Sequence, residues 1–286
     1  VGGTFTDAVA INNDTYELIG TVKVPTTHTA KEGVAAGIVE VLHKVMEELY
    51  QPFCGKMVTA DLLKAIRKDT PMLTGAVARA FAEIFFKTDI VRPLTGQNFL
   101  IGEMIRKYVE KVLERDAKLT PFRYIESEKQ IKCLFPLTDK SNIQLKGFID
   151  RIDEVRDTVR IIDYKSGSGT TQFTSVEALF DKEDTDRSKA VMQVFMYAWM
   201  YGTVQLSTAI QPGIYYMRTL FSPSFDPGIY RRTDRFKTEQ VLDFANYHAD
   251  FENSLRNCLD EIFDTETPFV QTPNGKACPF KDICGK

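Results

Sequence analysis

The stretch GFIDRIDEVRDTVRIIDYKSG, residues 147–167, has the pattern of two short β-strands joined by a tight turn. Apolar and polar residues alternate on both sides of Arg156 and Asp157, which favours a hairpin whose turn is centred on these two residues. The cross-strand neighbours that this register creates are one ion pair and one apolar pair, both of a stabilising kind: Asp153 with Arg160 and Ile152 with Ile161.

The same register sets two carboxylates against each other. Asp150 is placed directly opposite Asp163, on the face of the hairpin that also carries Lys165. Directly opposed like charges destabilise a sheet, whereas a divalent cation between them would reverse the sign of the interaction. Acidic residues near strand ends are usually solvated, but these two lie inside apolar strands and converge by register. We therefore favour a Mg²⁺ or Mn²⁺ site over a solvated sheet edge.

Helical and strand patterns alternate along the rest of the chain. Helices flanking a small central mixed β-sheet are indicated, which is an α/β (α+β) fold class. The main predicted elements are a strongly amphipathic helix that ends before Pro52, strands from Phe122 to Lys165, a helix over residues 188–202 and a long helix over residues 238–264.

The motif order GFIDRID…IIDYKSG resembles the core of the PD-(D/E)XK nuclease superfamily, specifically its RecB/AddB-like branch. The resemblance implies a restriction-endonuclease-like core in which Asp150 and Asp163 hold divalent metal ions and Lys165 assists the attacking water. The family also has a Q-x-x-x-Y helix after the lysine, which Gln193 and Tyr197 match. Their spacing puts both on one helical face. Alone they would be ordinary polar residues of a core helix, but beside the hairpin we assign them to the catalytic site.

Two residues upstream of the hairpin complete the metal site that the resemblance implies. The family carries a histidine on a helix before the strands, and the segment LHKVMEELYQPF supplies His43. A single helical histidine is more often a surface or core residue, but this setting is similar to the family's, so we assign His43 as a metal contact. A further acid usually comes from the strand before G-x-I-D, where Glu126 and Glu128 share one side. We prefer Glu128, which is nearer the hairpin.

The C-terminal cysteines resemble part of another family feature. Some RecB/AddB-like nucleases hold an iron–sulfur cluster with four cysteines, one before the histidine helix and three at the C-terminus. Cys278 and Cys284 match the last pair, but Gly275 stands at the preceding position and no cysteine precedes His43. Because two of the four ligands are missing, an iron–sulfur cluster is not expected, and the tail is interpreted as a metal-free remnant.

The beginning of the sequence resembles a different family. VGGTFTDAVAINNDTYELIGTVKVPTT is similar to the N-terminal segment of the hydantoinase/oxoprolinase family, where D-V-G-G-T-F-T-D is a phosphate-binding hairpin of an actin-like ATPase fold. Backbone N–H groups at Gly2 and Gly3 would face the phosphate. Nothing downstream matches the rest of that fold. We therefore divide the chain into residues 1–40, a truncated segment without an expected function, and residues 41–286, a nuclease domain.

Composition and charge restrict the possible partners. The chain has 286 residues, 26% of them charged, and a formal net charge of −3, so nucleic-acid binding needs a local groove of lysine and arginine. No apolar run has the length of a membrane span and no signal peptide is recognised, so no membrane partner is expected. The five cysteines do not form a disulfide pattern, which favours an intracellular, cytoplasmic protein.

The leading hypothesis is a Mg²⁺- or Mn²⁺-dependent deoxyribonuclease of exonuclease type. The resemblance implies work on DNA ends in recombinational repair beside a helicase, in the same chain or in a partner. The sequence has no P-loop motif of its own. An alternative is a non-catalytic DNA-end-binding subunit with the same fold, against which the intact Asp150, Asp163 and Lys165 argue. A hydantoinase/oxoprolinase-like ATPase fragment is a second alternative, supported only by the first segment.

Overall fold

The computed structural model describes residues 40–184, 187–204, 209–266 and 268 in full, and residues 5–11, 18–25 and 33–39 by their backbone. Within these residues the chain forms ten β-strands and seven α-helices. A five-stranded mixed sheet has helices on both faces. The predicted α/β (α+β) class, a small central mixed sheet flanked by helices with a restriction-endonuclease-like core, is confirmed.

The strands form three sheets. In chain order they are β1 (Phe5–Ile11), β2 (Leu18–Pro25), β3 (Met57–Val58), β4 (Phe122–Pro136), β5 (Asn142–Val155), β6 (Thr158–Lys165), β7 (Gln172–Phe173), β8 (Ala209–Tyr216), β9 (Tyr230–Arg232) and β10 (Thr238–Gln240). The central sheet has the order β3–β4–β5–β6–β8, in which only the β6–β8 pair is parallel. β1 pairs with β2, and β9 lies between β10 and β7.

The helices divide between the two faces of the central sheet. Their bounds are α1 (Gly33–Tyr50), α2 (Ala60–Lys68), α3 (Thr70–Ile84), α4 (Gly96–Ala117), α5 (Val176–Phe180), α6 (Lys189–Val204) and α7 (His248–Phe263). α1 ends at Tyr50, so the predicted stop before Pro52 is confirmed. The apolar stripe of α1 is buried, as Leu42 and Met46 show with exposed fractions of 1% and 3%.

Two hydrophobic cores lie on opposite faces of the sheet because successive residues of a strand point to opposite sides. On β6, Ile161 packs with residues of α5, α6 and α7 in one core. Ile162 and Tyr164 pack with residues of α1 to α4 in the other. The strand that carries the D-Y-K motif is therefore covered on both sides.

The β5–β6 hairpin has the predicted turn and register. Arg156 and Asp157 have φ angles of 49° and 64°, the positive values that a two-residue type I′ turn requires at both central positions. Both predicted cross-strand pairs are present: Asp153 with Arg160 and Ile152 with Ile161.

The helix predicted over residues 238–264 is wrong in its first part. The segment begins with β10, and α7 begins only at His248. Val241 is 1% exposed, and its N–H donates to the carbonyl oxygen of Ile229 at 2.8 Å. Val241 and Phe244 are apolar because they are buried in the core beneath α6, not because they lie on one face of a long helix.

Several residues of interest lie outside the described part of the chain: Gly2, Gly3, Gly275, Cys278 and Cys284. The expectations about a phosphate hairpin and an iron–sulfur remnant therefore stay predictions. Among the residues that the structure does describe, no helix combines the length and the apolar character that crossing a membrane requires.

Candidate active site

Side chains from four elements come together where the β5–β6 hairpin opens, at the end away from its turn. His43 on α1 contacts two acids: its Nδ1 lies 3.4 Å from Oε1 of Glu128 on β4, and its Nε2 lies 3.4 Å from Oδ2 of Asp150 on β5. One ligand atom from each of these three residues lies within 4.8 Å of the others. Asp163 is not within this 4.8 Å group, but it lies beside it on β6, paired with Lys165, and acts electrostatically on His43.

The packing of α1 directs His43 toward the hairpin. Leu42, the preceding residue, is buried in the core on that face of the sheet. The imidazole of His43 lies 5.6 Å from the ring of Tyr164, centroid to centroid, and the histidine side chain is 19% exposed. The helix thus presents one partly buried nitrogen base to a group of acids on the strands.

Glu128 occupies an irregular position in β4. Its φ is 48°, a left-handed conformation that costs a residue other than glycine roughly 1–3 kcal/mol and is typical of functional sites. The carboxylate of Glu128 contacts His43, whereas Glu126, the other candidate acid, forms an ion pair with Lys129. Of the two glutamates only Glu128 joins the cluster.

Asp150 and Asp163 lie one position beyond the last ladder pair of the hairpin, Arg151–Ile162. At this point Oδ2 of Asp150 accepts the backbone N–H of Tyr164 at 2.7 Å. The carboxylate takes the place of a backbone acceptor, and the strands separate where the two acids converge. The register predicted from the sequence leads to this juxtaposition, but the hydrogen bond from the backbone was not foreseen.

Lys165 is fixed by two acceptor side chains. Its Nζ lies 2.8 Å from Oδ2 and 3.0 Å from Oδ1 of Asp163, and 2.8 Å from Oε1 of Gln193 on α6. Nε2 of Gln193 donates to the hydroxyl of Tyr197 at 2.8 Å. That bond orients the amide so that its oxygen faces the lysine, and the Q-x-x-x-Y pair of α6 therefore holds the ammonium group.

Gly147, the first residue of the G-F-I-D motif, allows α6 to approach β5. A Cβ atom at this position would lie 2.8 Å from Cε1 of Tyr197, closer than such atoms approach one another. Sequence reasoning assigned no function to this glycine. The sequence does show a glycine at the first position of G-F-I-D. The physical reason for a glycine there is the Tyr197 ring, which packs directly on the backbone.

The cluster concentrates negative charge. Burial lowers the pKa of His43, but Asp150, Glu128 and Asp163 outweigh it and raise that pKa to about 9. Burial and then the neighbouring Asp150 raise the pKa of Asp163 to about 7. Burial also raises the pKa of Asp150. The raised pKa values of the two aspartates mean that their negative charge is poorly stabilised by the surroundings. A bound cation would stabilise that charge.

The residues present fit a divalent cation. Nε2 of His43 and Oδ2 of Asp163 are buried and make no hydrogen bond of good geometry with any described residue, although each has a charged neighbour. Buried polar atoms normally have a partner. An imidazole nitrogen among carboxylate oxygens is a donor set that divalent metal ions bind.

A buried ion network supports the hairpin on the face of the sheet that α1 to α4 cover. Arg151 contacts Asp116 on α4 through Nη1 and Asp153 through Nε, and its Nη1 donates to the hydroxyl of Tyr164 at 3.2 Å. Arg151 is 1% exposed, and both aspartates are 0% exposed. Sequence reasoning found the Asp153–Arg160 pair but missed the contacts of Arg151. The only sign in the sequence is that charged residues stand at positions 151 and 153, just after the acid of the G-F-I-D motif.

The comparisons with known proteins agree with this geometry. A family model described as the PD-(D/E)XK nuclease superfamily matches residues 27–285. No curated protein matches the chain in sequence. The family match covers most of the chain and includes the elements that supply the cluster, from α1 to α6. The chain therefore belongs to the PD-(D/E)XK nuclease superfamily.

Proposed function

We propose that this chain is a metal-dependent deoxyribonuclease that hydrolyses phosphodiester bonds. The observation that carries the proposal is the convergence of His43, Glu128 and Asp150 within 4.8 Å, beside the Asp163–Lys165 ion pair. In this assignment the three acids and the histidine hold divalent ions, and Lys165 faces the reacting phosphate.

The donor set bears on the choice of metal. A bound Mg²⁺ or Mn²⁺ ion would neutralise negative charge on the phosphate oxygens and would lower the pKa of a water molecule bound to it. Carboxylates suit both ions, but an imidazole suits transition metals better than Mg²⁺. The participation of His43 therefore favours Mn²⁺ as the ion that binds more tightly.

Lys165 acts as a fixed ammonium group. Asp163 and Gln193 hold it before substrate arrives, through contacts of 2.8 Å each. A preorganised cation stabilises the negative charge that develops on the phosphate and orients the attacking water, with little rearrangement during the reaction. Gln193 and Tyr197 are positioning residues in this scheme, because they act through the lysine.

The order of the motifs supports a finer placement in the RecB/AddB-like branch. A histidine helix, G-F-I-D, D-Y-K and Q-x-x-x-Y follow one another along the chain. On this basis we infer exonuclease-type action on DNA ends, in recombinational repair beside a helicase. Residues 1–40 then form a hydantoinase/oxoprolinase-like segment before a nuclease domain of residues 41–286, although the family match begins earlier, at residue 27.

The test incubates the purified chain with end-labelled linear DNA and with covalently closed circular DNA, in Mn²⁺ or in EDTA. The Asp163→Asn/Lys165→Met variant removes the ion pair of the cluster. The matched control is Asp61→Asn/Lys64→Met, which removes an exposed Asp–Lys ion pair of 3.3 Å on α2. The proposal expects cleavage that needs metal, is lost in the first variant and is retained in the second.

The DNA substrates separate the possible outcomes. Loss of linear DNA alone supports exonuclease action, and cutting of the circle makes the enzyme an endonuclease. Absence of cleavage, in a sample in which calorimetry shows bound Mn²⁺, contradicts the proposal and leaves a non-catalytic DNA-end-binding subunit.

A further inference from the structure

Beyond Glu128 and Asp150, β4 and β5 continue as a two-stranded ribbon with one exposed face. Residues at alternate positions, among them Ile131, Phe135 and Ile149, are buried in the core beneath α6. The intervening residues point away from this core and are exposed. We call them the ribbon face: Gln130, Lys132 and Leu134 on β4, and Gln144, Lys146 and Phe148 on β5.

Two lysines oppose each other on the ribbon face. Lys132 and Lys146 are cross-strand partners in the β4–β5 register. Neither forms an ion pair with a residue in the described ranges, and like charges at directly opposed positions destabilise a sheet. An anion bound between the two ammonium groups would turn this repulsion into attraction, as a cation does for the acids of the cluster.

Large apolar side chains flank the lysine pair. Phe148 is 47% exposed and Leu134 is 65% exposed, on opposite sides of the pair along the ribbon. Nζ of Lys146 lies 5.7 Å from the centroid of the Phe148 ring. An exposed aromatic ring beside paired cations is the combination with which proteins bind single-stranded nucleic acid, since bases stack on the ring and phosphates meet the charges.

The ribbon face begins at the candidate active site. Phe148 stands two residues before Asp150, and Gln130 stands two residues after Glu128. The rise of a strand places Lys146 roughly 13 Å from Asp150 along β5. A DNA strand whose scissile phosphate lies at the cluster would reach the lysine pair within a few nucleotides.

We propose that the ribbon face binds the DNA strand that leads to or from the active site, with Phe148 stacking on a base and the Lys132–Lys146 pair contacting phosphates. This inference rests on the proposed function for its ligand. It adds a binding surface with a stated chemistry outside the cluster. The chain as a whole has a net charge of −3, so DNA binding needs a local basic site, which the lysine pair would supply.

The test measures DNA binding without cleavage. The Asp163→Asn background is used in Ca²⁺, with a fluorescein-labelled single-stranded oligonucleotide, by fluorescence anisotropy over a series of salt concentrations. Two ribbon variants are added to this background, Lys132→Ala/Lys146→Ala and Phe148→Ala. Their controls remove the same groups from exposed positions elsewhere, Lys68→Ala/Lys118→Ala and Phe99→Ala, where Phe99 is 51% exposed. Thermal melting verifies that all variants fold.

The two ribbon variants have different expected signatures. Loss of the lysine pair reduces the slope of log affinity against log salt by about 1.4, because each phosphate of a single strand contributes about 0.7. Loss of Phe148 weakens binding roughly tenfold with little change in that slope, since stacking is not a charge interaction. The control variants bind as the background does.

The binding experiment and the cleavage experiment can refute the two proposals separately. Ribbon variants that bind DNA as the controls do, or a background that does not bind DNA, overturn the ribbon proposal, while metal-dependent cleavage by the unmutated chain would still support the nuclease. Conversely, a chain that fails to cleave but loses binding in the ribbon variants keeps the ribbon proposal and refutes the catalytic one.

Discussion

The backbone N–H of Tyr164 donates a 2.7 Å hydrogen bond to Oδ2 of Asp150, across the point where β5 and β6 separate. The hydroxyl of Tyr164, on the face that α1 to α4 cover, accepts a hydrogen bond from Arg151 at 3.2 Å. The middle residue of the D-Y-K motif is thus held both at its backbone and at its side chain. Because Asp163 and Lys165 are its neighbours in sequence, the buried ion network fixes the strand from which both project.

Replacing Gln193 by leucine removes the oxygen that lies 2.8 Å from Nζ of Lys165. Among the described residues, the ammonium group then has only Asp163 as an acceptor, and it samples more positions. We expect kcat for DNA cleavage to fall by roughly 10- to 100-fold, as for other residues that orient a catalytic group, with a small change in KM. Steady-state kinetics in Mn²⁺ measure both constants.

Tyr197→Phe tests the same contact more mildly than Gln193→Leu does. It removes the hydroxyl that orients Gln193 and should lower kcat in the same direction by a smaller factor. Tyr201→Phe is the matched control, one turn along α6, where the hydroxyl makes no hydrogen bond with a described residue. Equal activities of the Gln193→Leu variant and the unmutated chain would show that the lysine does not depend on this contact.

Gly147→Ala should destabilise the protein. The added Cβ would lie 2.8 Å from the Tyr197 ring, which is packed in the core and cannot yield freely. Overpacking of this kind costs about 1–3 kcal/mol, measured as the free energy of unfolding in urea. Gly167→Ala is the control, because no atom lies within 4 Å of its added Cβ. Equal stabilities of the two variants would contradict the close approach of α6.

The hairpin could be predicted from the sequence because its determinants are local. Alternation, turn position and the pairing of Asp153 with Arg160 all lie within one short segment, and the register follows from them. The contact of His43 with Glu128 spans 85 positions and was reached only by resemblance. Periodicity places a histidine on a helix but does not say which strand the helix crosses.

Other features were hidden for physical reasons that differ from case to case. The φ of 48° at Glu128 is a departure from strand geometry that a strand pattern does not reveal. By sequence, Asp116 is one of four acids on the amphipathic helix α4, yet it is completely buried against Arg151. The residues before α7 have a helical apolar period, but pairing of β10 with β9 overrides it.

Arg151→Met should be strongly destabilising. The substitution leaves Asp116 and Asp153, both completely buried, without their shared guanidinium. Breaking a buried ion pair on one side costs about 3–5 kcal/mol. The control Arg123→Met removes an arginine that is 53% exposed and pairs with Glu154 on the same sheet, where about 0–1 kcal/mol is expected. Urea denaturation compares the two, and equal losses would refute a structural role for the network.

The stability of the protein should depend on Asp153 at acid pH. Burial raises its pKa, but Arg160 and Arg151 outweigh burial and hold the pKa below its usual value of 3.8. A carboxyl whose pKa is lower when folded stabilises the protein above the pKa of the unfolded state, and this contribution disappears as pH falls through the folded value. The free energy of unfolding should therefore decrease below about pH 4, with a weaker dependence in Asp153→Asn. Identical pH dependences would contradict the assignment.

Mn²⁺ should stabilise the folded chain through the cluster, because an ion that binds only the folded state adds about 2.7 kcal/mol at 100 times its Kd. We expect a rise in Tm with Mn²⁺ in the unmutated chain, a smaller rise at the same Mg²⁺ concentration, and none in Asp150→Asn. In EDTA the variant should be at least as stable as the parent, since burial disfavours the charged form of Asp150 and raises its pKa. Asp61→Asn, a 95% exposed acid, is the control that should keep the full response. A Mn²⁺ response that survives in Asp150→Asn would place the ion elsewhere in the chain and remove the main support for the proposed chemistry.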